Sequence, residues 1–293
     1  MTEGVRTPDL HPGRAGLQPP GVPVRTMERV TAGVAELEAD VRGSGDAVVF
    51  IHGLGVADTF APVVEELASA GTHRLIRYRR RGYGGSGPRQ GRRTSIEEHA
   101  ADCVALLAAL GVPRAHLVGH SYGGCVALQA AVDHPEVVSS LVLLEPAVFR
   151  EPDKGPLRSE LGRFVALHRA GDDAAAVDGF WSFVGGPDWR EDMSRTVPGA
   201  PEQAVVDAAA AFDSDVPSAP AWRFGAEQAA AVVRPALHVL GSGTLPVFRA
   251  GAELLCSWLP RVERATLPDA NHLLHVQQPE RAAALIADFV TRV

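Results

Sequence analysis

Leu117-Val118-Gly119-His120-Ser121-Tyr122-Gly123-Gly124 is the stretch on which the reading of this chain turns. It contains the pattern G-x-S-x-G, with a short apolar run before it (115–118) and a helical pattern after it (122–133). A serine nucleophile needs its hydroxyl raised on a tight, strained turn between strand and helix. Glycines two positions either side of Ser121 leave room for that turn, because a Cβ there would strike the neighbouring strand or helix. The helix that follows directs its free N–H groups, with their partial positive charge, at the place where an oxyanion would form. The five-residue pattern alone is a weak signal, and the strand and helix around it give it weight. Ser121 is therefore the candidate nucleophile, set against the plainer reading of a glycine-rich turn with an incidental serine.

Working outward, strand and helix patterns alternate. Two β-like stretches (25–30 and 34–39) come first, joined by a turn at Ala32-Gly33, and residues 42–46 read as a loop. The continuous apolar run 47–51 has the character of a strand buried on both faces. Helical periodicity over 59–69 and a strand over 74–78 follow. A helix over 95–110 opens on Ser95 with Glu98 three residues on, a capping box. After the strand at 140–144 the alternation stops, and the chain is helical, Ala-rich and studded with aromatics to about residue 234. It resumes with strands at 236–240 and 262–267 and helices at 247–258 and 279–293. Such alternation predicts an α/β fold: a mostly parallel, doubly wound sheet of about eight strands with helices on both faces. The expected organisation is a disordered leader (1–24), a core made of 25–146 and 235–293, and a helical cap inserted at 147–234.

Composition narrows the classes. The 293 residues carry a net charge of -7 and 46% hydrophobic residues, ordinary for a globular protein and without the basic excess that nucleic-acid binding needs. Lysine occurs once, at Lys154. Cys103, Cys125 and Cys256 are far apart, lack metal-ligand spacing and lie in apolar helical patterns, as small buried hydrophobes do. The leader is rich in Pro and Gly and has no apolar signal region, and no apolar run reaches membrane-spanning length. The expectation is a soluble cytoplasmic protein that acts on a small molecule, without cofactor or metal and without nucleic-acid or membrane partners. A homodimer is left open.

Three further motifs join the first. Phe50-Ile51-His52-Gly53-Leu54-Gly55 ends an early buried strand, Arg81-Gly82-Tyr83-Gly84-Gly85-Ser86 forms a glycine-rich turn, and Leu267-Pro268-Asp269-Ala270-Asn271-His272 follows the last strand. Together with the serine turn they resemble the α/β-hydrolase fold family over the whole chain after about Arg25. That resemblance implies a second oxyanion donor in the HG turn, so the donors would be the backbone N–H groups of Leu54 and Tyr122, with His52 structural. It also implies His272 as general base. Only an imidazole takes up and returns a proton near neutral pH at its ordinary pKa. His275, three residues deeper, is the rival and matches the loop less well.

The acidic member is where the sequence departs from the family. The family places a carboxylate a few residues after the strand that follows the insertion, but Leu240-Gly241-Ser242-Gly243-Thr244-Leu245-Pro246 holds none, and Thr244 stands at the expected position. A neutral hydroxyl cannot stabilise an imidazolium as a carboxylate does. Glu145, at the end of the 140–144 strand and before Pro146, is the best replacement, because some family members take their acid from this strand end. Its competing reading is a turn cap. Asp269 is too close to His272 in the same loop to be the partner.

The insertion carries Phe149, Phe164, Phe180, Trp181, Phe183, Trp189, Phe212, Trp222 and Phe224. Most of these rings are expected to pack the cap itself, and the rest to line an apolar pocket. The reading is a serine hydrolase that cleaves an ester-type bond of a small, largely apolar substrate through Ser121, His272 and Glu145. Lactone, thioester and C–C bond cleavage stay open within it. A serine at the turn argues against dehalogenase and epoxide hydrolase activities, which in this family use Asp. The alternatives are a biosynthetic cyclase or acyltransferase that excludes water, and a small-molecule binding protein that has lost turnover, which the unusual Thr244 would suit.

Overall fold

The computed structural model describes residues 27–87, 93–149 and 155–293. The expected leader lies outside the described residues. Eight strands form one sheet in the order β1-β2-β4-β3-β5-β6-β7-β8: β1 Glu28–Ala32, β2 Ala35–Arg42, β3 Ala47–Ile51, β4 Arg74–Tyr78, β5 Ala115–His120, β6 Val138–Leu144, β7 Ala236–Gly241 and β8 Val262–Leu267. β1 and β2 pair antiparallel, as do β2 and β4, and every other pairing is parallel. The expected α/β class is what the chain adopts.

Burial follows the sequence pattern. β3 and β5 are buried at every position, as strands covered on both faces must be, while the edge strands β1 and β8 are largely exposed. On one face, α1 (Ala61–Ala70) and α12 (Pro279–Arg292) pack over Val48, Phe50, Val118 and Val142. On the other lie α2 (Ile96–Ala109), α3 (Tyr122–Asp133) and α10 (Pro246–Trp258), with Val49, Leu117 and Leu255 in the shared core. The capping box is present: the Glu98 N–H donates to Ser95 Oγ at 3.2 Å and the Ser95 N–H to Glu98 Oε2 at 2.9 Å. Cys103 and Cys125 are buried in α2 and α3, and burial pushes both thiols up to about 12, which leaves them unreactive.

β2 runs three residues beyond the stretch read as a strand. Its end is polar, but the polarity is paired: Asp40 takes the Arg42 guanidinium at 2.6 Å, and Arg42 also reaches Glu65 at 2.6 Å. Between β6 and β7 the described residues hold helices and turns and no strand. These are α4 (Gly155–Arg169), α5 (Asp173–Gly185), α6 (Trp189–Thr196), α7 (Ala200–Val206), a π-helical turn at Ala210–Asp215 that runs into the short α8 (Val216–Ser218), and α9 (Ala226–Ala231). The insertion's rings pack mainly on one another, with Phe164 against Phe180 at 6.3 Å and Trp181 stacked on Trp189 at 6.1 Å between centroids. Among the described residues, no helix is long and apolar enough to cross a membrane.

Candidate active site

The sharp turn after β5 has the geometry its sequence demands. Ser121 has φ 51° and ψ -117°, a conformation that L-residues rarely occupy, and α3 begins at the next residue. Glycine is required on either side: a Cβ on Gly119 would sit 2.4 Å from the Gly123 carbonyl oxygen, and one on Gly123 2.1 Å from that of Ile51. The turn is also fastened to the end of β6. The Ser121 N–H donates to the Leu144 carbonyl at 2.9 Å, and the Ala147 N–H to the Ser121 carbonyl at 3.2 Å.

The HG turn after β3 comes against this elbow. A Cβ on Gly53 would lie 3.2 Å from Ser121 Cβ. Leu54 follows Gly53, and Tyr122 opens α3, where first-turn N–H groups have no intrahelical acceptor. His52 is fully buried, and burial together with the nearby Arg80 charge holds its imidazole well below the ordinary range, so it is neutral. The Arg80 N–H donates to its Nε2 at 2.9 Å, which leaves Nδ1–H to donate to the Gly53 carbonyl at 2.8 Å. This is the structural role expected of His52.

Glu145 also takes a positive φ, 45°, at the end of β6, and is buried. Three donors converge on its carboxylate. The Gly241 N–H reaches Oε1 at 2.7 Å, and the Thr244 hydroxyl reaches Oε2 at 2.7 Å. His272 Nδ1 lies 2.7 Å from the same Oε2, in the donor role opposite a carboxylate, so Nε2 is left as the free face of the ring. Thr244, the residue standing in the family's acid position, thus binds the acid that lies one strand away.

His272 arrives on the loop between β8 and the short helix α11 (Leu274–Gln277), and its ring stacks on Phe248 with centroids 3.9 Å apart. His120, the residue before Ser121, donates from Nε2 to the His272 carbonyl at 2.9 Å, so the histidine loop rests directly on the serine turn. His275 lies elsewhere, fully buried between Phe60 and His120, with neither ring nitrogen partnered among the described residues. Burial and the neighbouring His272 push it down to about 3. Asp269 is exposed, and the contact it makes at this loop is its N–H donating to Ser242 Oγ at 2.9 Å.

The insertion packs against this constellation. Ser121 is 9% exposed and His272 2%. Trp181 lies against Gly55, where a Cβ would be 3.2 Å from its indole nitrogen. Asn271, beside His272, donates to the Gly185 carbonyl at 2.6 Å, and Gln277 to Asp192 Oδ2 at 2.7 Å, tying the histidine loop to α5 and α6. Among the described residues, no group of three or more His, Cys, Asp or Glu side chains is placed to hold a metal ion. A separate cavity of about 290 Å³, lined by residues including Arg42, Asp58, Arg77 and Gln203, contains neither Ser121 nor His272.

Residues 48–285 match the sequence profile of the alpha/beta hydrolase family. The chain belongs to the alpha/beta hydrolase family. Among individual relatives, 2-hydroxymuconate semialdehyde hydrolase of Pseudomonas putida is 26% identical over 266 residues, covering 85% of this chain and 88% of that protein. RutD of Variovorax paradoxus (strain S110) is 38% identical over 141 residues, 47% of this chain. That match spans about half of RutD's length, 52%. Among solved structures, Est816, an N-acyl homoserine lactone degrading enzyme, superposes with a TM-score of 0.71 at 25% identity, covering 89% of this chain and 100% of that one.

Proposed function

We propose that this alpha/beta hydrolase cleaves an ester-type bond of a small, largely apolar substrate by acyl transfer to water. Ser121 is the proposed nucleophile, His272 the general base and Glu145 the acid that orients it. The backbone N–H groups of Leu54 and Tyr122 are the proposed oxyanion donors. The observation that carries this reading is the 2.7 Å contact between His272 Nδ1 and the buried Glu145 carboxylate. With Nδ1–H committed to Glu145, the imidazole has one lone pair left, on Nε2, and that is the nitrogen a general base must turn toward the serine hydroxyl.

In the forward step the Ser121 oxygen adds to the substrate carbonyl while its proton passes to His272 Nε2. The imidazolium formed is stabilised by Glu145, and the two N–H groups receive the oxyanion. Collapse expels the alcohol, which takes the proton from His272. Water, deprotonated by the same nitrogen, then releases the acid. Phe248 on the face of His272, Phe149 against Phe248 at 5.3 Å and Trp181 over the HG turn surround the site with apolar surface, which favours an uncharged acyl group. Est816 is named for lactone degradation, which supports a carboxylic ester or lactone as the bond type.

A binding protein that has lost turnover was suggested by Thr244. That motive weakens once Thr244 is seen donating to a carboxylate that already meets His272. The test is labelling by a fluorophosphonate probe, which should modify Ser121 in the wild type and fail with Ser121→Ala. Hydrolysis of short p-nitrophenyl esters should follow. Labelling without ester turnover would favour the biosynthetic alternative, and absence of labelling would sink the nucleophile assignment.

A further inference from the structure

Behind the HG turn lies a buried polar cluster that the reaction above does not use. Arg80, between β4 and the glycine-rich turn, is wholly buried, as is Asp215 in the insertion's π-helical turn. Their side chains pair at 2.6 Å (Nη2 to Oδ2) and 3.3 Å (Nη1 to Oδ1). The same guanidinium donates from Nη2 to the Gly53 carbonyl at 2.9 Å and from Nε to the His52 carbonyl at 3.2 Å. Tyr83 completes the clamp, donating from its hydroxyl to Asp215 Oδ2 at 2.7 Å while accepting the Gly55 N–H at 3.2 Å. His99 Nε2 lies 3.3 Å from Asp215 Oδ1.

We infer that Arg80 is a positioning residue for the oxyanion hole, held in place by Asp215 of the insertion. The inference rests on the proposal that the Leu54 N–H is an oxyanion donor. The Gly53 carbonyl and the Leu54 N–H belong to one planar trans peptide, so they point in opposite directions. Arg80 and His52 grip the carbonyl end, which fixes where the N–H end points. On the far side of Leu54, Tyr83 fixes the next N–H, so the residue is held from both flanks. A cation on a carbonyl oxygen also polarises its peptide and strengthens the N–H at the other end as a donor. The guanidinium further lies over the side-chain ring of Tyr122, the residue that carries the second proposed donor, 4.7 Å from its centroid.

The insertion is thereby part of the catalytic geometry as well as a cover. Burial opposes both charges, but their mutual attraction outweighs it: the Asp215 carboxyl lies well below the usual range and Arg80 is held firmly protonated. The clamp therefore stays charged across the neutral range.

The experiment compares Arg80→Lys, Tyr83→Phe and the double variant Arg80→Met with Asp215→Leu, which removes both buried charges and keeps apolar bulk. Lysine keeps the charge but, with a single nitrogen, cannot fork to two carbonyls and a carboxylate. On a p-nitrophenyl ester the Arg80→Lys and double variants should lose roughly 10–100-fold in kcat with KM nearly unchanged, the mark of a lost transition-state contact. Tyr83→Phe should lose less. In ¹⁵N-leucine-labelled wild type the Leu54 amide resonance should move when a boronic acid forms its adduct with Ser121, and that movement should vanish in the double variant. Folded variants with wild-type kcat and an unchanged Leu54 response would overturn the positioning role while leaving the serine mechanism intact. A wild type that neither reacts with fluorophosphonate nor turns over the ester would overturn the underlying mechanism and this role with it.

Discussion

Glu145 carries more of the proposed mechanism than any other side chain outside the serine and histidine, and its partners say how it should respond to change. Replacing it by Gln keeps the shape and removes the charge that stabilises an imidazolium. We expect kcat to fall by roughly 10²–10⁴-fold, measured on a p-nitrophenyl ester, while Asp269→Asn stays within a few-fold. Thr244→Val removes one of three donors to the carboxylate, a loss of about 1 kcal/mol and a several-fold fall in kcat at near-constant KM. His275 makes the opposite case. Its two nitrogens, unpartnered among the described residues, are buried among rings, so His275→Leu is expected to raise stability by about 1–3 kcal/mol in urea unfolding. Glu145 was legible in the sequence as a carboxylate at a strand end before proline. The service that Thr244 renders it was not, because a hydroxyl 99 positions away carries no sign of its partner. Arg80 and Asp215, 135 positions apart, were hidden for the same reason: one sits in a basic run that reads as surface, the other in an Ala-rich helical stretch.

At the scale of elements, hydropathy told most where burial is apolar and least where it is ionic. β3, β5 and β6 stand out as continuous apolar runs, and the capping box marked the start of α2. The strand reading stopped at Ala39 and the loop reading began at Arg42, yet β2 runs to Arg42, with Asp40 buried and Arg42 half-buried in ion pairs with each other, Glu65 and Arg77. The elbow is the element that tolerates least. Gly123→Ala drives a methyl to 2.1 Å from the Ile51 carbonyl and 2.5 Å from that of His52, atoms of the very turn that presents Leu54. It should cost ~1–3 kcal/mol or more in chemical denaturation, with activity falling further than stability predicts. The insertion was recognisable as helical from its composition, but its π-helical turn and its hold on the HG turn required the tertiary structure.

For the molecule as a whole, the histidines decide how it meets acid. His52, His99, His116, His120, His238 and His275 all lie below their ordinary pKa in the fold, burial being the first cause in each case. His238 is held at about 4 and His275 at about 3. The unfolded chain therefore binds protons first. Stability is intact above the unfolded value of ~6.5 and is lost as pH falls from there toward the folded values. Each such group contributes a loss of up to ~1.4 kcal/mol per pH unit in that window. Thermal unfolding followed between pH 8 and pH 5 should show a steep fall below about 6.5, opposed in part by His168, which Asp213 and Asp173 hold above its ordinary pKa. His275→Leu should make that fall shallower. A melting temperature that rises on acidification would contradict the neutral burial of this set.

The register between β5 and β6 has one more consequence. His120 stands opposite Leu144, and the next residue on each strand is the proposed nucleophile and its proposed acid. Two of the three reacting parts are therefore milled from the same block, and the third rides on a separate arm. What joins the arm to the block is a few hydrogen bonds, that from His120 to the His272 carbonyl among them, so loosening those should silence the molecule while leaving the other two parts in register.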